Sequence, residues 1–246
     1  MRRFALAILI AAAVAAALMS RGSAESARHV LSLSWQPAFC ETRPGTAECR
    51  ALNAGQLAHA ETQLSLHGLW PQPRGTFYCD VPARLVRLDE AGRWDELPPV
   101  DLDAETARAL AVAMPGTASG LERHEWIKHG TCHRAAGGAD EYYDDTLLLM
   151  AQVSGSEVGA LIAGRVGAHV ETADLRAAFA RAFGAGAGQR VEVQCTGDGG
   201  RRLILGLRLH LRGVIGPDAA LGTLLAQAEP VAPGCGGGIV DAAGLQ

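Results

Sequence analysis

One stretch of this 246-residue sequence concentrates ionisable side chains. Residues 120–132 read G-L-E-R-H-E-W-I-K-H-G-T-C, so His124, Glu125, Lys128 and His129 lie close together. On a helix, Glu125 and His129 are four residues apart and share a face, and His124 and Lys128 form a second such pair beside them. Lys128 is the only lysine of the chain, a compact point charge where all other strong cations are arginines. These residue types could transfer protons or hold a metal.

Three kinds of reaction could use this cluster. The segment H-E-W-I-K-H resembles the zinc motif H-E-x-x-H, but His124 and His129 are five residues apart, about 140° around a regular helix. We therefore expect them to point to different sides, and we expect no metal site. Catalysis by a serine or cysteine nucleophile is disfavoured because G-x-S-x-G is absent and the cysteines fit better as bridges.

Metal-free general acid–base catalysis is the remaining class and the one we favour. It needs two groups that titrate near neutrality on either side of a reacting bond, and a cation where negative charge develops. His67, near the end of a predicted strand, could supply a second imidazole opposite His129. This set could cleave RNA through its own 2′-hydroxyl, without a cofactor.

The amino terminus predicts export. Arg2 and Arg3 precede an apolar run over residues 4–18, and small residues follow at 22–24, which is typical of a signal peptide over residues 1–24. The run is shorter than the roughly 20 residues that span a membrane; an uncleaved anchor is the alternative. We predict that residues 25–246 form a single domain.

The charge of the mature chain argues against a protein that coats nucleic acid. Without residues 1–24 it has 19 Lys and Arg against 26 Asp and Glu, a net charge of −7. Electrostatic coating needs a basic protein. An enzyme with one locally basic cleft remains compatible with this charge.

All six cysteines lie in the exported part. An even number in an exported chain is typical of three disulfides, and the absence of C-x-x-C disfavours redox or zinc-knuckle interpretations. The spacing alone leaves about 15 pairings open.

Hydrophobic periodicity predicts an α+β fold: one domain with a central, mostly antiparallel sheet and helices grouped on one side. The predicted strands are 29–35, 64–69, 190–196 and 201–212, with a short edge strand within 234–240. The predicted helices are 101–114, the stretch 120–132 between Ser119 as N-cap and Gly130 as stop, 141–152, 156–166 and 173–183. We expect 71–100 to be irregular and Cys40 and Cys49 to enclose a short loop.

Two segments resemble the active-site segments of the ribonuclease T2 family. They are H-G-L-W-P at residues 67–71 and H-E-W-I-K-H-G-T-C at residues 124–132, about 50 residues apart and in the family's order. Shorter matches at 33–40, 48–50, 142–143, 177–179 and 235–236 extend the resemblance to the bacterial periplasmic ribonuclease I-like branch.

This resemblance implies an endoribonuclease of low base specificity that forms 2′,3′-cyclic phosphates from single-stranded RNA, and not from DNA. It implies His67, Glu125 and His129 as the catalytic set, with His129 as first-step base and His67 as acid. It implies that Lys128, with Glu125, stabilises the phosphorane, that His124 binds phosphate, and that Trp70 and Tyr78 stack on a base. Gln72 departs from the pattern, because many fungal and plant members carry Asp there.

The resemblance also implies the disulfides Cys79–Cys132 and Cys195–Cys235, which leaves Cys40–Cys49. We expect a monomer in the periplasm or medium, with no membrane association after signal cleavage.

Simpler interpretations remain open. His67 could be a structural histidine, Glu125 and His129 a surface pair worth a few tenths of a kcal/mol, and Trp70 and Trp126 core residues. The remaining histidines are interpreted as surface or structural: His29, His59, His133, His169 and His210. The alternatives to the enzyme are an exported RNA-binding module of this fold without turnover, and a metal-dependent phosphoesterase.

Overall fold

The computed structural model describes residues 27–133 and 137–245. The predicted signal peptide lies outside them, so its cleavage stays a prediction. Within the described residues, the longest strand forms where apolar and polar residues alternate, over residues 201–212.

The elements alternate along the chain without a division into separate units. The strands are β1 (Arg28–Ser34), β2 (Ser65–Pro71), β3 (His169–Glu171), β4 (Val191–Asp198), β5 (Arg201–Arg212) and β6 (Gly237–Ile239). The first helices are α1 (Gln36–Thr42), α2 (Ala47–Asn53), α3 (Ala83–Glu90), α4 (Ala104–Ala113) and α5 (Leu121–Lys128). The later helices are α6 (Gly138–Ser154), α7 (Glu157–Ala163), α8 (Thr172–Phe183) and α9 (Leu221–Gln227).

The sheet confirms the predicted α+β class. Its strand order is β2-β1-β5-β6-β3, with β4 also paired to β5. The pairings are antiparallel except for β5 with β6. The predicted strands 190–196 and 201–212 form the antiparallel pair β4–β5.

The two faces of the sheet differ. Leu31 and Leu33 of β1 and Leu207 and Leu209 of β5 are buried with residues of α6, α8 and α9, so the core lies between this face and those helices. Partners across antiparallel strands point to the same side. Val30, which is paired with Trp70 and with His210, therefore lies on the opposite face.

The local structure differs from the prediction in two places. Cys40 and Cys49 do enclose a short turn at Pro44 and Gly45, but each lies in a helix that was not predicted, α1 and α2. Pro37 occupies a first-turn position of α1 that needs no backbone N–H donor. The segment 71–100, expected to be irregular, contains α3, whose two arginines and two acids hid its apolar spacing. Short elements β3 and α9 were also not predicted.

Three disulfides hold the fold: Cys40–Cys49, Cys79–Cys132 and Cys195–Cys235. These are the pairs that the resemblance implies. Cys79–Cys132 joins the segment after β2, the strand that carries His67, to the segment after α5, the helix that carries Glu125.

In the described part of the chain, no single helix is long and apolar enough to cross a membrane; the bent pair α6–α7 passes that test only when its two helices are taken together, by length and composition.

Candidate active site

Helix α5 begins and ends differently from the prediction. Its N-cap is Gly120 in the left-handed conformation, with φ 79°. Ser119 does not cap the helix because its hydroxyl donates to the buried Glu48 carboxylate instead. The helix ends at Lys128, one turn of 3-10 helix covers Gly130–Cys132, and His129 lies between the two.

Glycine at position 68 lets α5 approach β2. A Cβ atom there would lie 1.9 Å from Glu125 Oε2. The same oxygen accepts a 2.8 Å hydrogen bond from Trp70 Nε1. Because the indole N–H of Trp70 donates this bond, one role of its side chain is to hold the Glu125 carboxylate in place.

Glu125 lies between two histidines. Its Oε1 is 3.4 Å from His67 Nε2 and 3.8 Å from His124 Nε2, and has no hydrogen bond of good geometry within the described residues. Ser34 Oγ lies 3.3 Å from His67 Nδ1 on the other side of the ring. Buried carboxylate oxygens usually have a hydrogen-bond partner, and a catalytic role is one explanation for an exception.

The electrostatics of Glu125 favour its ionised form. Burial works against ionisation, but the proximity and charge of His67 and the charges of His129 and His124 outweigh it and lower the pKa of the Glu125 carboxyl. A carboxylate between imidazoles is therefore present at neutral pH.

His129 is held as a neutral imidazole. Burial, together with the nearby positive charges of Lys128, His124 and His67, lowers the pKa of His129 to about 4 against the opposing effect of Glu125. Its ring packs edge-on against Phe77, with centroids 5.2 Å apart, and tilted against Trp70 at 5.5 Å. Its Nδ1 is buried and, among the described residues, has no hydrogen-bond partner. A neutral imidazole has one ring nitrogen with a free lone pair, which can accept a proton.

Asp89 of α3 positions His124 and Tyr78. It is buried, and its two carboxylate oxygens contact His124 Nδ1 at 2.7 Å and the Tyr78 hydroxyl at 2.8 Å. Trp94 stacks on the His124 ring, with centroids 4.5 Å apart. The phenol of Tyr78 is thus committed to Asp89, and burial with this hydrogen bond raises its pKa.

The residues meet in one cavity of about 400 Å³ on the face of the sheet opposite the core. It is lined by six of the seven predicted site residues, namely His67, Trp70, His124, Glu125, Lys128 and His129. Tyr78 is not among them. Its neighbour Phe77 lines the cavity and is 40% exposed.

The geometric reason for expecting no metal is wrong. His129 leaves the helical path with φ −115°, so His124 and His129 do not diverge as they would on a regular helix. Ligand atoms of His124, Glu125 and His129 all lie within 4.8 Å of one another, close enough for one metal ion. With His124 Nδ1 fixed by Asp89, its Nε2 faces this cluster, as in metal sites oriented by a carboxylate.

Sequence reasoning missed several residues of this cavity: Gln72 as a lining residue, Arg74, Phe77, Glu192, Arg208 and His210. The alternation of β5 contained a usable signal, since Arg208 and His210 must lie on the face opposite its leucines. The Arg208 guanidinium lies 5.4 Å from the Trp70 ring centroid. Nothing in the sequence indicated Asp89.

The fold and the site together define an α+β enzyme with imidazoles, a carboxylate and an ammonium in an open cavity on a sheet face. The pattern of the ribonuclease T2 family matches residues 28–212. Ribonuclease I of Escherichia coli (strain K12) is 32% identical over 205 residues, 75% of each chain. A ribonuclease of Aeromonas hydrophila is 29% identical over 128 residues, 52% of this chain and 47% of its own.

The chain belongs to the ribonuclease T2 family, in its bacterial ribonuclease I-like branch, and is an endoribonuclease with RNA as substrate. Solved structures agree in fold. The SF11-RNase of Nicotiana alata has a TM-score of 0.52 at 15% identity, over 76% of this chain and 87% of its own. Actibind has a TM-score of 0.51 at 15% identity, over 91% and 90%. The disulfides and the relationship to Ribonuclease I indicate an exported protein.

Proposed function

We propose that this ribonuclease cleaves single-stranded RNA without a metal, with low base specificity, by transfer of the phosphoryl group to the adjacent 2′-oxygen. The observation that carries the proposal is the placement of His67, Glu125, Lys128 and His129 around one open cavity. General acid–base catalysis needs two positioned proton carriers, and phosphoryl transfer needs a cation beside the phosphorus.

In the first step, neutral His129 removes the proton of the 2′-hydroxyl. The 2′-oxygen attacks the phosphorus, the bond to the 5′-oxygen breaks, and protonated His67 donates its proton to that leaving oxygen. The products are a 2′,3′-cyclic phosphate and a 5′-hydroxyl. Water then opens the ring with the two histidines in exchanged roles.

The neighbours of the histidines fit these roles. The low pKa of His129 keeps it unprotonated and able to act as a base. The Glu125–His67 contact of 3.4 Å is an ion pair when His67 carries its proton. Lys128 and His124 supply positive charge to the non-bridging oxygens, since both line the cavity.

For base binding we propose Trp70 with Phe77, and a supporting role for Tyr78. Phe77 offers an exposed ring at the cavity, and single-stranded RNA is commonly held by bases stacked on aromatic side chains. Tyr78 supports the site through Asp89 and through its backbone N–H, which donates to the Lys128 carbonyl at 2.9 Å.

The test is the product end group after digestion of a dinucleoside phosphate in excess chelator. We expect a 2′,3′-cyclic phosphate and no cleavage of the matching deoxydinucleotide. His67→Ala and His129→Ala should each lower kcat by at least about 10²-fold with unchanged circular dichroism, because general acid–base catalysis contributes about 10²–10⁴-fold. Cleavage of DNA, or a linear phosphate as the first product, would contradict the proposal.

A second candidate is a metal-dependent phosphoesterase, favoured by the single observation that His124, Glu125 and His129 could share a metal ion. Loss of RNA cleavage in chelator, with recovery on adding zinc, would support it. Unchanged cleavage in chelator would exclude it.

We also propose that residues 1–24 are a cleaved signal peptide, that 25–246 act as a single monomeric domain, and that the mature protein works in the periplasm or medium, free of membrane. Mass spectrometry of the exported protein and sedimentation of the purified chain test these points.

A further inference from the structure

A second cavity of about 330 Å³ lies beside the active-site cavity. The two share Gln72, Arg74 and His210 as lining residues. The second cavity is also lined by Arg28 and Arg212, which do not line the first. We call it the basic cavity, because of Arg28, Arg74 and Arg212. No step of the proposed reaction uses Arg28 or Arg212.

The placement of Arg28 and Arg212 is unfavourable for the isolated protein. They are direct partners across the β1–β5 pair. Like charges directly opposite on antiparallel strands are destabilising. Such a pair is reasonable where an anion is bound between the two guanidinium groups.

No acid neutralises this pair within residues 27–133 and 137–245. Arg28, Arg74 and Arg212 make no ion pair there, whereas Arg201 on the same strand contacts Asp198 and Asp241. One exposed acid, Glu229, also lines the basic cavity. Three arginines against one glutamate still leave a local excess of positive charge in a chain of net charge −4.

The basic cavity continues the active-site face of the sheet. Trp70 of β2 is paired with Val30 of β1, and Val30 is paired with His210 of β5. Two residues further along these strands, on the same face, lie Arg28 and Arg212. An extended ligand that leaves the catalytic cavity past His210 therefore reaches the arginine pair within about 7 Å, measured along the strands.

We propose that the basic cavity binds the phosphodiester groups of nucleotides that flank the cleaved bond. Arginine is suited to this ligand because its planar fork can donate two hydrogen bonds to a phosphate. The contacts go to the backbone, so the cavity increases the preference for long RNA without adding base specificity. The inference rests on the proposed function in one respect, that RNA occupies the catalytic cavity.

The test compares a dinucleoside phosphate, which is too short to reach the basic cavity, with an octanucleotide of the same base composition. The variant is the double substitution Arg28→Gln and Arg212→Gln; Arg74 is left intact because it lines both cavities. We expect kcat/KM for the octanucleotide to fall by about tenfold or more at low salt, and that for the dinucleoside phosphate to stay unchanged. The slope of log(kcat/KM) against log salt concentration for the octanucleotide should decrease by about 1.4, since each contact to a single strand contributes about 0.7.

A matched control removes the same charge elsewhere. Arg43 and Arg165 are exposed and line neither cavity. The double variant Arg43→Gln and Arg165→Gln should keep the wild-type ratio between the two substrates. An equal loss on both substrates, an unchanged octanucleotide rate, or an equal effect of the control pair would overturn the proposal.

A binding measurement separates this inference from the proposed reaction. A fluorescent 2′-O-methyl octanucleotide cannot cyclise, so its anisotropy reports binding alone. Weaker binding by the Arg28/Arg212 variant than by the control pair supports the basic cavity even if wild-type protein forms no cyclic phosphate. Equal binding by the two variants rejects it even if cleavage follows the proposed route.

Discussion

At the scale of single residues, Lys128 influences the site in two ways. Its ammonium lies 5.4 Å from the Phe77 ring centroid, at the edge of the catalytic cavity. There it can stabilise negative charge on the phosphoryl oxygens. Its charge also contributes, after burial, to the low pKa of His129. In the proposed mechanism, Lys128 would therefore both assist the transition state and help to keep the base unprotonated.

Replacing Lys128 by Met should separate these effects. Because a positive charge near His129 is lost, its pKa should rise from about 4. A base must be unprotonated, so activity lost as the pH falls through about 4 in the wild type should be lost at a higher pH in the variant. We expect kcat to fall by roughly 10²–10³-fold, the usual cost of removing one such electrostatic group.

The measurement is the pH profile of kcat/KM, which reports the free enzyme. Lys128→Arg is the matched control: it keeps the charge and should leave the acidic limb in place. An unshifted limb in Lys128→Met would show that Lys128 does not affect the pKa of the base.

At the scale of elements, the site depends on how closely α5 and β2 approach each other. Gly68 faces Glu125, and Trp70, two residues further on, donates to the same carboxylate. The buried carboxylate of Glu125 thus occupies the space that a side chain at position 68 would fill. Glycine is required at position 68 because of this close contact, since its backbone is not left-handed.

Gly68→Ala should therefore inactivate the enzyme. The new Cβ would lie 1.9 Å from Glu125 Oε2, so the carboxylate must move away from Trp70 and His67. A displacement of about 1 Å can cost about 10²-fold in rate, and overpacking typically lowers the free energy of unfolding by about 1–3 kcal/mol.

Steady-state kinetics and chemical unfolding of the same variant measure both effects. Gly45→Ala is the control, because a Cβ there meets no atom within 4 Å; it should change neither quantity. Full activity of Gly68→Ala would show that the carboxylate position is not critical.

Elements that depend on a local sequence pattern could be predicted, and features that depend on contacts between residues distant in sequence could not. The strands β1, β2, β4 and β5 were predicted because core-facing apolar residues alternate along the local sequence, as at Leu31 and Leu33 of β1 and at Val191 and Val193 of β4. The end of α5 was not, because the conformation of His129 depends on packing against Phe77 and Trp70, which are distant in sequence. The role of Asp89 was also not predictable. The charged residues of α3 resemble a solvent-exposed face in the sequence, and Asp89, which contacts His124, is one of them.

At the scale of the whole molecule, a buried polar chain connects the sheet to the helical layer behind the site. His29 of β1 contacts His133 at 3.2 Å, and His133 contacts Asp145 of α6 at 3.2 Å. Cys132, beside His133, carries the bridge to Cys79. The segment that follows the catalytic helix is thus tied to β1, to α6 and to the loop after β2.

This row of buried polar contacts makes the folding stability of the protein depend on pH. Burial, together with the charge of His133, lowers the pKa of His29 to about 3 from its usual 6.5. Between these two values the unfolded chain binds a proton at His29 and the folded protein does not. The associated stability is therefore complete above about pH 6.5 and is lost as the pH falls toward 3. His129, with its pKa lowered to about 4, acts in the same direction.

His29→Leu should remove part of this dependence. At pH 7 the variant should be less stable by about 1–3 kcal/mol, because His133 is left with an unsatisfied ring nitrogen in a buried position. Between pH 6 and 4 its stability should fall less steeply than that of the wild type, by up to about 1.4 kcal/mol per pH unit. Urea unfolding at pH 7, 6, 5 and 4 gives both values. If the two proteins lose stability with the same slope, His29 does not carry the acid sensitivity, and it lies instead with other groups of lowered pKa, such as His129 and Glu125.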